Sequence, residues 1–105
     1  MIDRLYIVVR EDLHPGAQLA QGLHAFRDFV EAHGDVELTW YRTSNTIVAL
    51  SVPDEEALLQ LREKLERRRL KYALFREPDF DDEATALAIE PKGKGACRGL
   101  RLALA

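Results

Sequence analysis

The chain has few of the residues that hold a fold together covalently or around a metal. Among its 105 residues Cys97 is the only cysteine, so no intramolecular disulfide can form and a cysteine-based metal cage has no ligands. Such sparing use of cysteine fits a reducing compartment. Long apolar runs are also missing. None approaches the roughly 18 residues that a membrane-spanning helix requires. The opening "MIDRLYIVVREDL" sets Asp3, Arg4, Arg10, Glu11 and Asp12 around a short apolar run, which lacks the long apolar core and small-residue cleavage site of a secretory signal. A cytoplasmic protein is expected. A dominant charge is absent too: the net charge of -3 exerts no overall pull toward nucleic acid. Aromatics are 8% of the chain and do not alternate with basic residues as on single-strand-binding surfaces.

What is present describes a globular protein. Hydrophobic residues make up 47% and charged residues 31%, and the length suits one domain over residues 1–105. The charges are unevenly distributed. Arg62 to Lys71 holds six basic residues against two acidic, and Pro91 to Ala105 holds four basic and no acidic ones. Between them "EPDFDDE", residues 77 to 83, carries five carboxylates. A basic face on an acidic protein is therefore possible.

Hydrophobic patterning predicts alternating strands and helices. "RLYIVV", residues 4 to 9, is β-branched and apolar enough for a buried strand. From Pro15 the period changes: Leu19, Leu23, Phe26 and Val30 follow helical steps, with Phe29 beside them, and the helix is expected to run to about His33 and stop at Gly34. "NTIVALSV", residues 45 to 52, reads as a strand. "PDEEALLQLREKLERRR" reads as a helix with acids at its start, arginines at its end and a buried stripe of Leu58, Leu61 and Leu65. "KYALF" (71 to 75), "ATALAI" (84 to 89) and "LRLAL" (100 to 104) are further short strands, the last at an edge. The segment 36 to 43, "VELTWYRT", leaves two arrangements open. As a strand hairpinned through Ser44 and Asn45 it produces a ferredoxin-like α+β order; as an irregular return it favours an α/β sandwich with a largely parallel sheet covered on both faces.

The segment "PGAQLAQGLHAF", residues 15 to 26, holds the first candidate site. Gln21 and His24 are three apart and so neighbours on a helix, beside the apolar stripe. Gly16, Ala17, Ala20, Gly22 and Ala25 let other backbone or a ligand come close. The same features also describe a helix packed tightly on a sheet with a hydrogen-bonded histidine at its margin.

Further residues turn this into a resemblance. A strand ending in Arg10, Glu11, Asp12, Leu13, then Gly16 opening a helix that continues Ala20, Gln21, His24, Ala25, resembles the peptidyl-tRNA hydrolase 2 family. "TIVALSVPDEEALLQL", "YALFRE", "TALAIEP" and "GLRLAL" resemble that family's later elements in the same order. The resemblance implies a three-layer α/β/α sandwich around a mixed, mostly parallel sheet of about four strands, and argues against the hairpin. It implies hydrolysis of the ester joining a peptide or N-blocked amino acid to tRNA, with tRNA as partner, no cofactor, no metal and a possible homodimer.

Carried over position by position, the resemblance places catalysis on Glu77, Asp79 and Thr85, with Gly16, Gln21 and His24 lining the site. Glu77 stands where the family has an aspartate. Ala17 stands where it has a lysine, which removes a cation suited to stabilising developing negative charge. The following loop is shorter than in the family, and its threonine has no counterpart. His14, unmatched at the helix opening, is a candidate for the missing positive charge beside the nearby carboxylates; as a lone histidine it also suits an exposed capping position. Arg67, Arg68, Arg69, Lys71, Lys92 and Lys94 are candidates for RNA phosphates, provided the tail folds beside the end of the second helix; basic residues there also suit a helix C-terminus. "DFDDE" lacks the glycine and ligand spacing of a calcium loop. Two alternatives to an enzyme are an RNA-binding module without turnover and a homodimeric interaction domain.

Overall fold

The computed structural model describes residues 3–105. Strand β1 (Arg4–Arg10) leads into helix α1 (Pro15–Ala32), which is followed by helix α2 (Gly34–Thr43) and strand β2 (Thr46–Val52). Helix α3 (Glu55–Arg67) then precedes β3 (Tyr72–Glu77), a 3-10 turn (Pro78–Phe80), β4 (Glu83–Ile89), a 3-10 segment (Pro91–Cys97) and the short β5 (Arg101–Leu102). The sheet has five strands in the order β3-β4-β1-β2-β5.

The sheet is mixed, but less parallel than the sequence suggested, and it has five strands where about four were expected. Only β1 and β2 run parallel, in register from Arg4 with Thr46 to Arg10 with Val52; their connection carries two helices, the long crossover that a parallel pair requires. The pairings β1–β4, β3–β4 and β2–β5 are antiparallel. For β3 and β4 the reason is local. Asp81 and Asp82 both take left-handed backbone angles, and Asp82 N donates to Glu77 O at 3.0 Å. So tight a return permits only a hairpin.

Helices α1 and α2 cover one face and α3 with the Pro91–Cys97 segment the other, making three layers. Leu58, Leu61 and Leu65 of α3 pack on Tyr6, Val8, Leu50 and Val52, as the stripe predicted. Helix α3 is capped by the Asp54 carboxylate, which accepts from Ala57 N at 2.9 Å. On the opposite face Leu5, Ile7 and Val9 meet Ala25, Phe29 and Trp40.

Two expectations are corrected here. The segment 36 to 43 is neither strand nor irregular return but most of α2, so no hairpin forms through Ser44 and Asn45. Asp35 and Glu37 in its first turn and Arg42 in its last suit the helix dipole. Trp40 anchors it, buried and donating Nε1–H to Thr46 O at 2.7 Å. Second, α1 is rotated from the face its leucines imply. Leu19 and Leu23 are 58% and 61% exposed, while Ala17, Gln18, Gln21, Gly22, Ala25 and Phe29 are buried. The cause is close packing: a Cβ on Gly22 would lie 3.1 Å from Ile7 Cγ2 and 3.3 Å from Val9 Cγ1. Small residues must therefore face the sheet, and the leucines form a ridge beside exposed Ile47, on the face of β2 opposite α3.

Candidate active site

Helix α1 lies against β3 and β4, which brings its buried glutamine to the end of the hairpin. Gln21, only 4% exposed, donates Nε2–H to Glu77 Oε1 at 2.9 Å and accepts from Thr85 Oγ1 at 2.6 Å. The amide orientation follows from its neighbours. A carboxylate only accepts, so the NH2 group must face Glu77, which leaves Oε1 for the hydroxyl. Thr85 Oγ1 also lies 3.3 Å from Phe75 O, but its single proton belongs to the shorter contact. Three residues from α1, β3 and β4 thus form one directed chain, Thr85 to Gln21 to Glu77.

Glu77 closes β3 and caps the 3-10 turn, where its Oε2 accepts from Asp79 N at 3.3 Å. Hydrogen bonding from Gln21, then from the Asp79 amide, and then the nearby His24 hold the partly exposed carboxyl below the usual glutamate range. His24 stacks on Phe75 with ring centroids 4.6 Å apart and planes 16° from parallel, which fixes its imidazole beside the carboxylate. Asp79 is exposed, and it serves Glu77 through its backbone N–H. Thr85 is fully buried, and its hydroxyl is joined to Glu77 only by way of Gln21.

At the helix opening His14 is the N-cap, its Nδ1 accepting from Ala17 N at 3.3 Å. Gly16 is exposed, and a Cβ there would meet nothing but the His14 ring, no closer than 3.5 Å. The space above it is open to a ligand. Ala17 lies one turn from Gln21 on the same face and is buried. The link between α1 and the acidic bend is made one turn further along, by Gln21 and Glu77.

Sequence reasoning missed the support beneath it. Arg10, 6% exposed, donates Nε–H and Nη2–H to the two oxygens of Asp12 at 2.9 and 2.7 Å, and Nη1–H to Glu83 Oε1 at 2.7 Å and to Ala84 O at 3.1 Å. This clamp ties the end of β1 to the start of β4, two residues from Thr85. Its arginine holds the Asp12 carboxyl below the usual range. The available signal was an arginine closing an apolar strand with acids just beyond it.

The basic candidates gather elsewhere. Arg68, Arg69, Lys71, Lys92 and Lys94 line one cleft, and the tail does fold against α3: Lys64 Nζ donates to Ala96 O at 3.3 Å. Arg67 instead borders a shallow groove with Arg62, Glu63 and Glu66. The cleft is at the opposite end of the sheet from Glu77, since Lys71 and Glu90 adjoin the Tyr72–Ile89 pair while Glu77 pairs with Glu83. No three His, Cys, Asp or Glu residues among the described residues converge to hold a metal ion.

The chain is similar over 97% of its length, and over 98% of the other chain, to a solved structure of a protein of unknown function from Agrobacterium tumefaciens, at 16% identity and a TM-score of 0.71. That likeness concerns the fold. No curated protein matches at a significant level. The model for the family Peptidyl-tRNA hydrolase PTH2 matches residues 4–100, nearly the whole chain and every element that builds the site. The chain therefore belongs to the peptidyl-tRNA hydrolase PTH2 family.

Proposed function

We propose that the protein hydrolyses the ester linking a peptide or N-blocked amino acid to the terminal ribose of tRNA, with Glu77 as general base. The observation supporting this most is the Gln21 clasp, which holds an ionised carboxylate at the end of the β3–β4 hairpin against α1. Glu77 takes a proton from water as the water oxygen bonds to the ester carbonyl carbon. The tetrahedral intermediate collapses as the carbon–oxygen bond to ribose breaks, and the proton passes to the departing ribose oxygen. Gln21 orients the base, and Thr85 orients Gln21. Asp79 supplies the second amide contact to the base.

The developing oxyanion needs donors. Pro15 has no N–H and the Ala17 N–H is taken by His14, so among the first three helical residues Gly16 offers the free amide, aided by the positive end of the α1 dipole. A lysine at position 17 would have added a cation. Losing one such donor costs on the order of 100-fold to 1000-fold in rate, and a lowered carboxyl pKa makes Glu77 a weaker base. Slow turnover is expected.

Ala17 is also the observation favouring a second reading, a tRNA-binding domain without chemistry. A single-turnover assay on N-blocked aminoacyl-tRNA separates the two. Release of the acyl group that is lost in Glu77→Gln supports the hydrolase; tRNA binding with no release at high protein concentration rejects it.

A further inference from the structure

The catalytic end of the molecule is badly suited to capturing a polyanion. Glu77, Asp79, Asp81, Asp82 and Glu83 crowd the hairpin bend, and the nearest buried cation, Arg10, is already committed to Asp12 and Glu83. Electrostatic attraction for RNA must come from elsewhere on the surface.

The other end of the sheet has the opposite character. A cleft of about 780 Å³ is lined by Arg4, Arg68, Arg69, Lys71, Lys92 and Lys94. Among the described residues none of these cations is ion-paired; the ion pairs involve Arg10, Arg27 and Arg101. Three acids also line the cleft: Asp3, Asp35 and Glu90. Glu90 is buried and accepts from Lys71 N at 2.6 Å, so its charge is engaged by backbone. On a protein of net charge -3 this is a concave surplus of free cations, chemistry suited to an anion. Its aromatic linings, Tyr6 and Trp40, are both buried, so no ring is available for stacking bases. The chemistry fits backbone phosphates of a duplex rather than unpaired bases.

The spacing is set by the sheet. From the Glu77–Glu83 pair to the Tyr72–Ile89 pair the hairpin runs six residues along β4, about 20 Å at the usual rise per residue. β3 is the sheet's outer strand. Lys71 before its start and Arg76 near its end are both exposed, and Tyr72, Ala73, Leu74 and Phe75 between them carry no charge. An RNA stem lying along this edge meets no carboxylate of the strand until it reaches Glu77.

Building on the hydrolase reading above, we infer that the cleft is a remote anchor for the duplex body of the RNA whose acylated end reaches Glu77. Two-point attachment makes the protein sensitive to the length of its substrate. The ester is recognised at one end of the sheet and the stem at the other.

The test neutralises three exposed cations in one protein, Arg68→Gln, Lys92→Gln and Lys94→Gln, and compares full-length N-blocked aminoacyl-tRNA with an acylated trinucleotide carrying the same terminal sequence. For the variant, tRNA affinity is expected to fall at least tenfold at moderate salt, with the log–log salt slope reduced by about 0.9 for each phosphate that the protein ceases to neutralise. KM for the long substrate should rise by a similar factor with kcat unchanged, while kcat/KM for the trinucleotide stays at the wild-type value. Undiminished tRNA binding, or an equal loss on both substrates, overturns the anchor. If the wild type cleaves neither substrate but the variant still loses tRNA affinity, the anchor stands and the hydrolase reading fails.

Discussion

Gln21 Nε2 and Glu77 Oε1 lie 2.9 Å apart although 56 positions separate them in the chain. The bond joins a buried helix residue to the last residue of an edge strand. Gln21→Leu keeps the volume and removes both hydrogen bonds. Its Glu77 carboxyl should move upward toward the ordinary glutamate range, because the largest cause of its lowering is gone. The expected result is a fall in kcat of roughly tenfold, with the acid limb of the kcat/KM profile displaced to higher pH. An unchanged limb in this variant would detach Gln21 from the base.

In the wild type the same lowering sets the sign of the pH response. Glu77 stays ionised as pH drops through the ordinary carboxylate range, and its contribution to stability and to turnover is lost only as pH falls through its lower folded value. Glu77→Gln should reduce turnover by roughly 100-fold or more. It should also remove the acid limb, as a pH series of single-turnover rates will show.

Ala17→Lys restores a cation at the helix opening. Residue 17 faces the same side as Gln21, and the site above Gly16 is open. If the ammonium reaches the oxyanion position, turnover should rise by about 100-fold. A thermal melt of the variant shows whether the added side chain is accommodated.

The Arg10 clamp is a stability feature with its own pH signature. Arg10→Met leaves Asp12 and Glu83 without their partner. Complete burial would make this worth about 3–5 kcal/mol; because the two acids are 41% and 42% exposed, about 2 kcal/mol is expected after solvent screening. The Asp12 carboxyl is held low by Arg10, so the stabilisation is complete above the unfolded aspartate range and disappears as pH falls through the lower folded value. Urea titrations of wild type and variant should converge toward acid.

Helix α1 offers a test of which face is buried. Phe29→Ala removes a fully buried ring and should cost about 3–5 kcal/mol. Leu23→Ala, on the exposed ridge, should change stability by less than about 0.5 kcal/mol. Equal effects in denaturant melts would contradict the rotation of this helix.

Much of the architecture was legible because its signals are local. The apolar runs of β1, β2 and β4, the leucine period of α3 and the acids at its start each state their role without help from distant residues. The misreadings of α1 and of residues 36 to 43 have a common cause, which is that distant packing decided them. For α1, large leucines suggested a buried stripe, yet β1 comes so close that only Gly22 and Ala25 fit, and two glutamines were drawn inward. For α2, the mixture of valine, threonine and aromatics carried no clear period; a single tryptophan bonded to Thr46 O holds a helix that its own propensities left undecided. Glu77, Gln21 and Thr85 were singled out as letters, and the fold bonds them to one another. That Gln21 is the centre of the group, and that Thr85 is fully covered, could come only from the folded hairpin. The basic residues likewise announced their charge, but not that the length of a strand separates them from the acids.

Gly93 has a consequence for how this protein can change over evolutionary time. A side chain there would sit 2.4 Å from Ile89 Cγ2, so the position tolerates nothing larger, whereas Lys92 and Lys94 on either side are exposed. The middle of the tripeptide is frozen and its flanks are free. Descendants of this chain can retune the electrostatic pole at that end, or even invert it, by single substitutions that never disturb the interior.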